Sequence, residues 1–103
     1  MMKKAELRAR VLLSLQIALL GIVGERLRAV ACRWTDTQIR IRAVFDGEID
    51  AVDVESMSEV ETEIISHFPD HQIEVDCCRI DAPHPITALS DEVFVFKRRE
   101  LRD

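Results

Sequence analysis

The chain has 103 residues, with 14 Lys and Arg against 19 Asp and Glu, a formal net charge of −5. That length holds a single domain, residues 1–103, and little besides. With 48% apolar and 32% charged residues it has material for a packed core, and the interspersed charge excludes the disordered and membrane classes.

Leu7, Val11, Leu15, Ala18, Leu19 and Ile22 recur at spacings of three and four, which predicts a helix from about Lys4 to Ile22, ended by Gly21 or Gly24. Leu13, Ile17 and Leu20 project onto a second face. Two apolar stripes imply deep burial or contact with another chain, so these three residues are candidates for self-association as a homodimer. The same stretch imitates a secretory signal, because Lys3 and Lys4 precede the apolar run Val11–Val23. Glu6, Arg8 and Arg10 crowd its front, Gln16 interrupts it, and thirteen residues are too few to span a bilayer, so no membrane partner is expected. Cys32, Cys77 and Cys78 are odd in number and include an adjacent pair, which suits reduced thiols and a cytoplasmic protein.

Strands are predicted at Arg26–Trp34 and Gln38–Phe45, joined by the polar turn Thr35-Asp36-Thr37. In the second, Ile39, Ile41, Ala43 and Phe45 face the core while Arg40 and Arg42 line the opposite side. Asp50 is the predicted N-cap of a helix reaching about His67, with Asp53 three residues on and Pro69 as the stop. Strands near Gln72–Ile80 and Glu92–Arg98 follow, separated by Asp81-Ala82-Pro83-His84-Pro85. The order α-β-β-α-β-β predicts a two-layer α+β sandwich: a four-stranded, mainly antiparallel sheet made of two hairpin-like halves, with both helices on one face and the other face open.

Charge is segregated along the chain, since residues 43–78 carry eleven carboxylates and no Lys or Arg. Val52, Val54, Met57, Val60, Ile64 and Ile65 interleave with them as predicted core residues, so the segment is folded rather than a tail. Glu55, Glu59 and Glu63 form an i, i+4, i+8 ladder, joined by Asp46, Glu48, Asp50 and Asp53 near the helix start. Such a surface attracts basic protein partners and repels nucleic acid. A basic hairpin (Arg26, Arg28, Arg33, Arg40, Arg42) points the other way, with only Trp34 to stack on a base. Glu61 falls on the helix face toward the sheet, where it is a rim residue, a paired semi-buried acid or a catalytic acid. His67 and His71 have metal-clamp spacing, but Pro69 breaks the helix between them. Cys77 and Cys78 point to opposite faces of a strand and cannot share a ligand position. No catalytic group, metal site or cofactor is predicted.

The segment Leu12-Leu13-Ser14-Leu15-Gln16-Ile17-Ala18-Leu19-Leu20-Gly21, the strand end Phe45-Asp46-Gly47-Glu48, the run Val60-Glu61-Thr62-Glu63-Ile64-Ile65 to Phe68-Pro69, and Arg79-Ile80-Asp81-Ala82-Pro83-His84-Pro85 resemble short acidic proteins encoded beside polymorphic toxin genes. These are immunity proteins of bacterial contact-dependent growth inhibition systems. The resemblance implies a non-enzymatic protein that occludes a cognate, basic toxin domain. It makes Asp46, Glu48, Asp50, Asp53, Glu55, Glu59 and Glu63 the expected contact residues. A self-associating structural or regulatory domain is the alternative.

Overall fold

The computed structural model describes residues 3–100. Its elements run α1 (Lys4–Ala18), β1 (Leu27–Trp34), β2 (Gln38–Phe45), α2 (Ala51–His67), β3 (Gln72–Arg79) and β4 (Val93–Lys97), the α+β order expected. Helix α1 stops short of Ile22. The chain leaves it through Leu20 N–H to Ile17 C=O and Ile22 N–H to Leu19 C=O bonds, with Gly21 at φ +78°, a backbone region that favours glycine. At the other helix the predicted cap is in place: Asp50 accepts from the Asp53 N–H at 2.9 Å and Asp53 accepts from the Asp50 N–H at 3.1 Å.

The strands lie in the order β3-β2-β1-β4. β1 is antiparallel to both β2 and β4, whereas β2 and β3 are parallel. The sheet is therefore mixed, and the second half of the chain is not a near-hairpin: β3 and β4 occupy opposite edges. Helix α2 is the cause, since it returns the chain to the end of the sheet where β2 began and forces a parallel crossover. One apolar core holds Leu7, Val11 and Leu15 of α1, Val30 and Cys32 of β1, Ile39, Ile41 and Phe45 of β2, and Met57, Val60 and Ile64 of α2. Both helices thus pack on a single face of the sheet. Three residues expected in that core are not in it, because Val52, Val54 and Ile65 are 67%, 50% and 47% exposed. A helix lying on a sheet buries one stripe only, and Met57, Val60, Ile64 and Phe68 occupy it.

Opposite edges for β3 and β4 have a further consequence. β3 ends beside Phe45 and β4 begins beside Cys32, so residues 80–92 must cross the sheet diagonally on the face away from the helices. Arg28 donates to the carbonyl oxygens of Ile80 (2.7 Å) and His84 (2.9 Å), and Arg42 to that of Thr87 (3.1 Å), fastening this strap to the sheet. Beneath it Ala29, Ala31 and Val44 are fully buried. The face expected to be open is covered, and of the two arginines expected to line it only Arg40 remains on the surface, 3.7 Å from Glu74.

Arg28, itself buried, also makes a bidentate bond to Glu100 at 2.6 and 2.7 Å, and Arg98 adds a third at 2.8 Å. The Arg28 bond is the main cause that holds the Glu100 carboxyl down to about 2, against its ordinary 4.5. A depressed carboxylate stabilises the fold above its unfolded value and ceases to do so as pH falls through the folded one. Wild-type stability should therefore drop between pH 4.5 and about 2 more steeply than that of Glu100→Gln, as read from urea midpoints at each pH; parallel curves would detach Glu100 from the acid response.

Candidate functional site between the two helices

The second apolar stripe is left bare, with Leu13 and Ile17 of α1 58% and 48% exposed and Leu20, in the turn that follows the helix, 76% exposed. Helix α2 lies beside it and turns its acidic ladder the same way. Between them runs an open groove of about 620 Å³, with Ile17, Leu20 and Ile22 on one wall and Glu55, Glu59 and Glu63 on the other. Leu13 does not line it. Successive ladder carboxylates are one helical turn apart, roughly 6 Å along the axis. The sequence presents these features as two unrelated sets; packing of α1 on α2 makes them one surface. Ser58, Thr62 and Ser66, which also line the groove, were missed because small polar residues carry no pattern signal.

The remaining predicted acids have different surroundings. Asp50 and Asp53 both accept from the Arg26 guanidinium, at 3.0 and 2.8 Å, in addition to capping α2. The Asp53 backbone N–H is the first cause holding the Asp50 carboxyl below its ordinary range, with Arg26 assisting. Asp46 pairs with Arg98 at 3.1 Å. Glu48 contributes its carbonyl oxygen to Arg26 at 2.6 Å. Its carboxylate, like those of Glu55, Glu59 and Glu63, makes no ion pair among the described residues. The seven-residue set is thus divided: three carboxylates are neutralised within the fold, and the ladder is not. Glu61 is partly exposed at the other flank of α2 with no ion pair among the described residues, the outcome of a rim residue rather than of a paired acid.

Elsewhere the chemistry-bearing residues stay apart. Among the described residues no group of three or more His, Cys, Asp or Glu is arranged to hold a metal ion. α2 ends at His67, and His71 packs edge-on against Phe68 at 5.4 Å. Arg26, Arg28 and Arg42 of the hairpin are bonded to carboxylates, and Arg8 stacks over the Trp34 ring at 5.8 Å. All three cysteines are free; Cys32 is fully buried, and burial pushes its thiol up to about 12. Cys77 and Cys78 are half-buried on opposite faces of β3. Iodoacetamide at pH 8 should accordingly label Cys32 only upon unfolding; native labelling of Cys32 at the rate of the other two would contradict its burial.

No helix among the described residues is long and apolar enough to cross a membrane. The fold and the groove together define a small α+β domain with a half-apolar, half-acidic channel between its helices. Residues 8–100 match the family model of the MafI2 immunity protein, and the chain belongs to that family. It is a toxin immunity protein, with a toxin as its partner. No curated protein matches the chain.

Proposed function

We propose that the chain neutralises its toxin by binding it through the interhelical groove, as a non-catalytic cytoplasmic inhibitor of the contact-dependent growth inhibition type. The observation that carries this reading is the uncompensated ladder Glu55, Glu59 and Glu63 facing an apolar wall of Ile17 and Leu20. Protein-binding sites combine a desolvated apolar anchor with charges that steer the encounter, and this groove offers both. The partner's complementary surface is basic, so the carboxylates stand where an anionic substrate of the toxin would otherwise lie. Asp50 and Asp53 support the ladder by holding the start of α2, Asp46 is tied to Arg98 and the Ala82 N–H instead, and Glu48 extends the acidic surface toward the ladder.

Tagged protein recovered from its host at low salt should retain one stoichiometric basic domain that elutes as salt rises. The variant Glu55→Lys/Glu59→Lys, which disturbs only exposed positions, should lose that domain at least tenfold more readily while keeping its thermal midpoint within a few degrees. Undiminished retention would remove the groove from the interface. Self-association is the second reading, supported by the exposure of Leu13, Ile17 and Leu20. It predicts a dimer mass by light scattering that Leu13→Ser abolishes.

A further inference from the structure

Strand β3 is a sheet edge of an unusual kind for a small soluble protein. Among the described residues it pairs only with β2, in unbroken register from Gln38↔Gln72 to Phe45↔Arg79, eight residues without a bulge. The opposite edge, β4, is five residues long and its pairing is interrupted between Val30 and Ala31. Edges are normally blunted by bulges, prolines, short length or charged side chains; of these β3 has only the charges of Glu74, Asp76 and Arg79. The Gln72 N–H bonds Thr37 C=O and the Ile80 N–H bonds Phe45 C=O, so even-numbered residues address β2. The N–H and C=O groups of Ile73, Val75, Cys77 and Arg79 therefore point away from the sheet.

An apolar shelf lies above this row. Ile73, Val75 and Cys77 are half-buried against the core, and Val54 and Ile65, on the flank of α2 opposite the groove, stay 50% and 47% exposed. On the strap side of β3 the exposed side chains are Gln72, Glu74 and Asp76, with Glu74 3.7 Å from the exposed Arg40 of β2 and Asp76 without an ion pair among the described residues. These charges decide the occupant. An antiparallel second copy that bonds through the odd-numbered residues in either register of greatest overlap, centred on Val75 or on Asp76, would set Glu74 opposite Asp76 or Asp76 opposite Asp76, and like charges directly across a sheet destabilise the pair. A strand alternating apolar and basic side chains fits both faces: apolar groups under Val54 and Ile65, Lys or Arg beside Glu74 and Asp76.

We propose that the β3 edge is a strand-addition site for a basic, alternating β-strand of a protein partner, separate from the interhelical groove. The site shares with the proposed function the premise of a basic partner but uses different residues, so each can fail alone.

The test uses a synthetic acetylated octapeptide alternating Val and Lys, and the same peptide N-methylated at every second amide so that charge is kept and pairing is lost. With 15N-labelled protein, the first should slow amide exchange at Ile73, Val75, Cys77 and Arg79 at least tenfold and shift the methyl signals of Val54 and Ile65. The N-methylated peptide should do neither. Val75→Pro, whose lost N–H faces away from β2, should keep the fold and abolish the effect, and Glu55→Lys/Glu59→Lys should leave it intact. Equal responses to both peptides, no protection at millimolar peptide, or slow exchange of those four amides through dimerisation of the protein alone would each overturn the proposal.

Discussion

Arg42→Met is expected to destabilise the domain by about 3–5 kcal/mol, whereas Arg40→Met, two residues earlier on the same face of β2, should change stability by about 0.5 kcal/mol or less. The Arg42 guanidinium meets Glu92 twice, at 3.0 and 2.7 Å, and the Glu92 side chain is only 3% exposed beneath the strap. Burial alone would raise the Glu92 carboxyl; the Arg42 bonds and the Leu89 N–H outweigh it and hold the group below its ordinary range. Without Arg42 an unpaired carboxylate is left in a dry site. Two checks separate this from lost packing. The second substitution in Arg42→Met/Glu92→Met should recover most of the loss, because an ion pair replaced whole by apolar groups costs far less than one broken in half. The deficit of the single variant should also narrow as pH falls: its Glu92 has a raised folded pKa, so the protonated form that acid favours carries no charge to strand. Urea melts of wild type, Arg42→Met, Glu92→Met and the double variant at pH 7 and pH 4.5 give both answers, and additive effects of the two single substitutions would uncouple Arg42 from Glu92.

That contrast shows where the sequence stopped being informative. Arg40 and Arg42 read alike, as polar positions of one alternating strand, because period-2 patterning reports the face of a strand and nothing about what crosses it. What crosses it was set by a topological choice, β3 beside β2 rather than beside β4, which depends on contacts between residues far apart in the chain. Local signals fared better. The Asp50–Asp53 capping box, the β1–β2 turn closed by Thr35, and the core face of Ile39, Ile41, Ala43 and Phe45 are each written within a few residues. Val52, Val54 and Ile65 are apolar yet exposed, because a helix on a sheet buries one stripe and these lie outside it, so apolar character alone does not report burial. The candidate site falls between these cases. Its two walls were legible separately as an apolar stripe and an acidic ladder, and only the packing of α1 on α2 shows them to be one groove.

If the groove receives the toxin, its two walls should fail in kinetically different ways. Leu20 is 76% exposed and lies at the apolar wall, so Leu20→Ser should leave folding stability within about 0.5 kcal/mol. An apolar anchor buried at the centre of an interface is worth about 2 kcal/mol or more, so the same variant should weaken the complex roughly thirtyfold. That loss should fall on the dissociation rate and be nearly independent of salt, since no charge is involved. Glu59→Lys should act on association instead, slowing it severalfold at low ionic strength and converging toward wild type near 1 M salt, where the screening length is about 3 Å. Leu13→Ser is the internal control. Leu13 belongs to the same α1 stripe and is similarly exposed, but it is not part of the groove. Surface plasmon resonance against the recovered toxin domain at two salt concentrations measures all three. A groove interface predicts a fast-dissociating Leu20→Ser and an unaltered Leu13→Ser. Equal losses from both leucines would instead make the whole stripe the contact and tie toxin binding to the face that self-association would use.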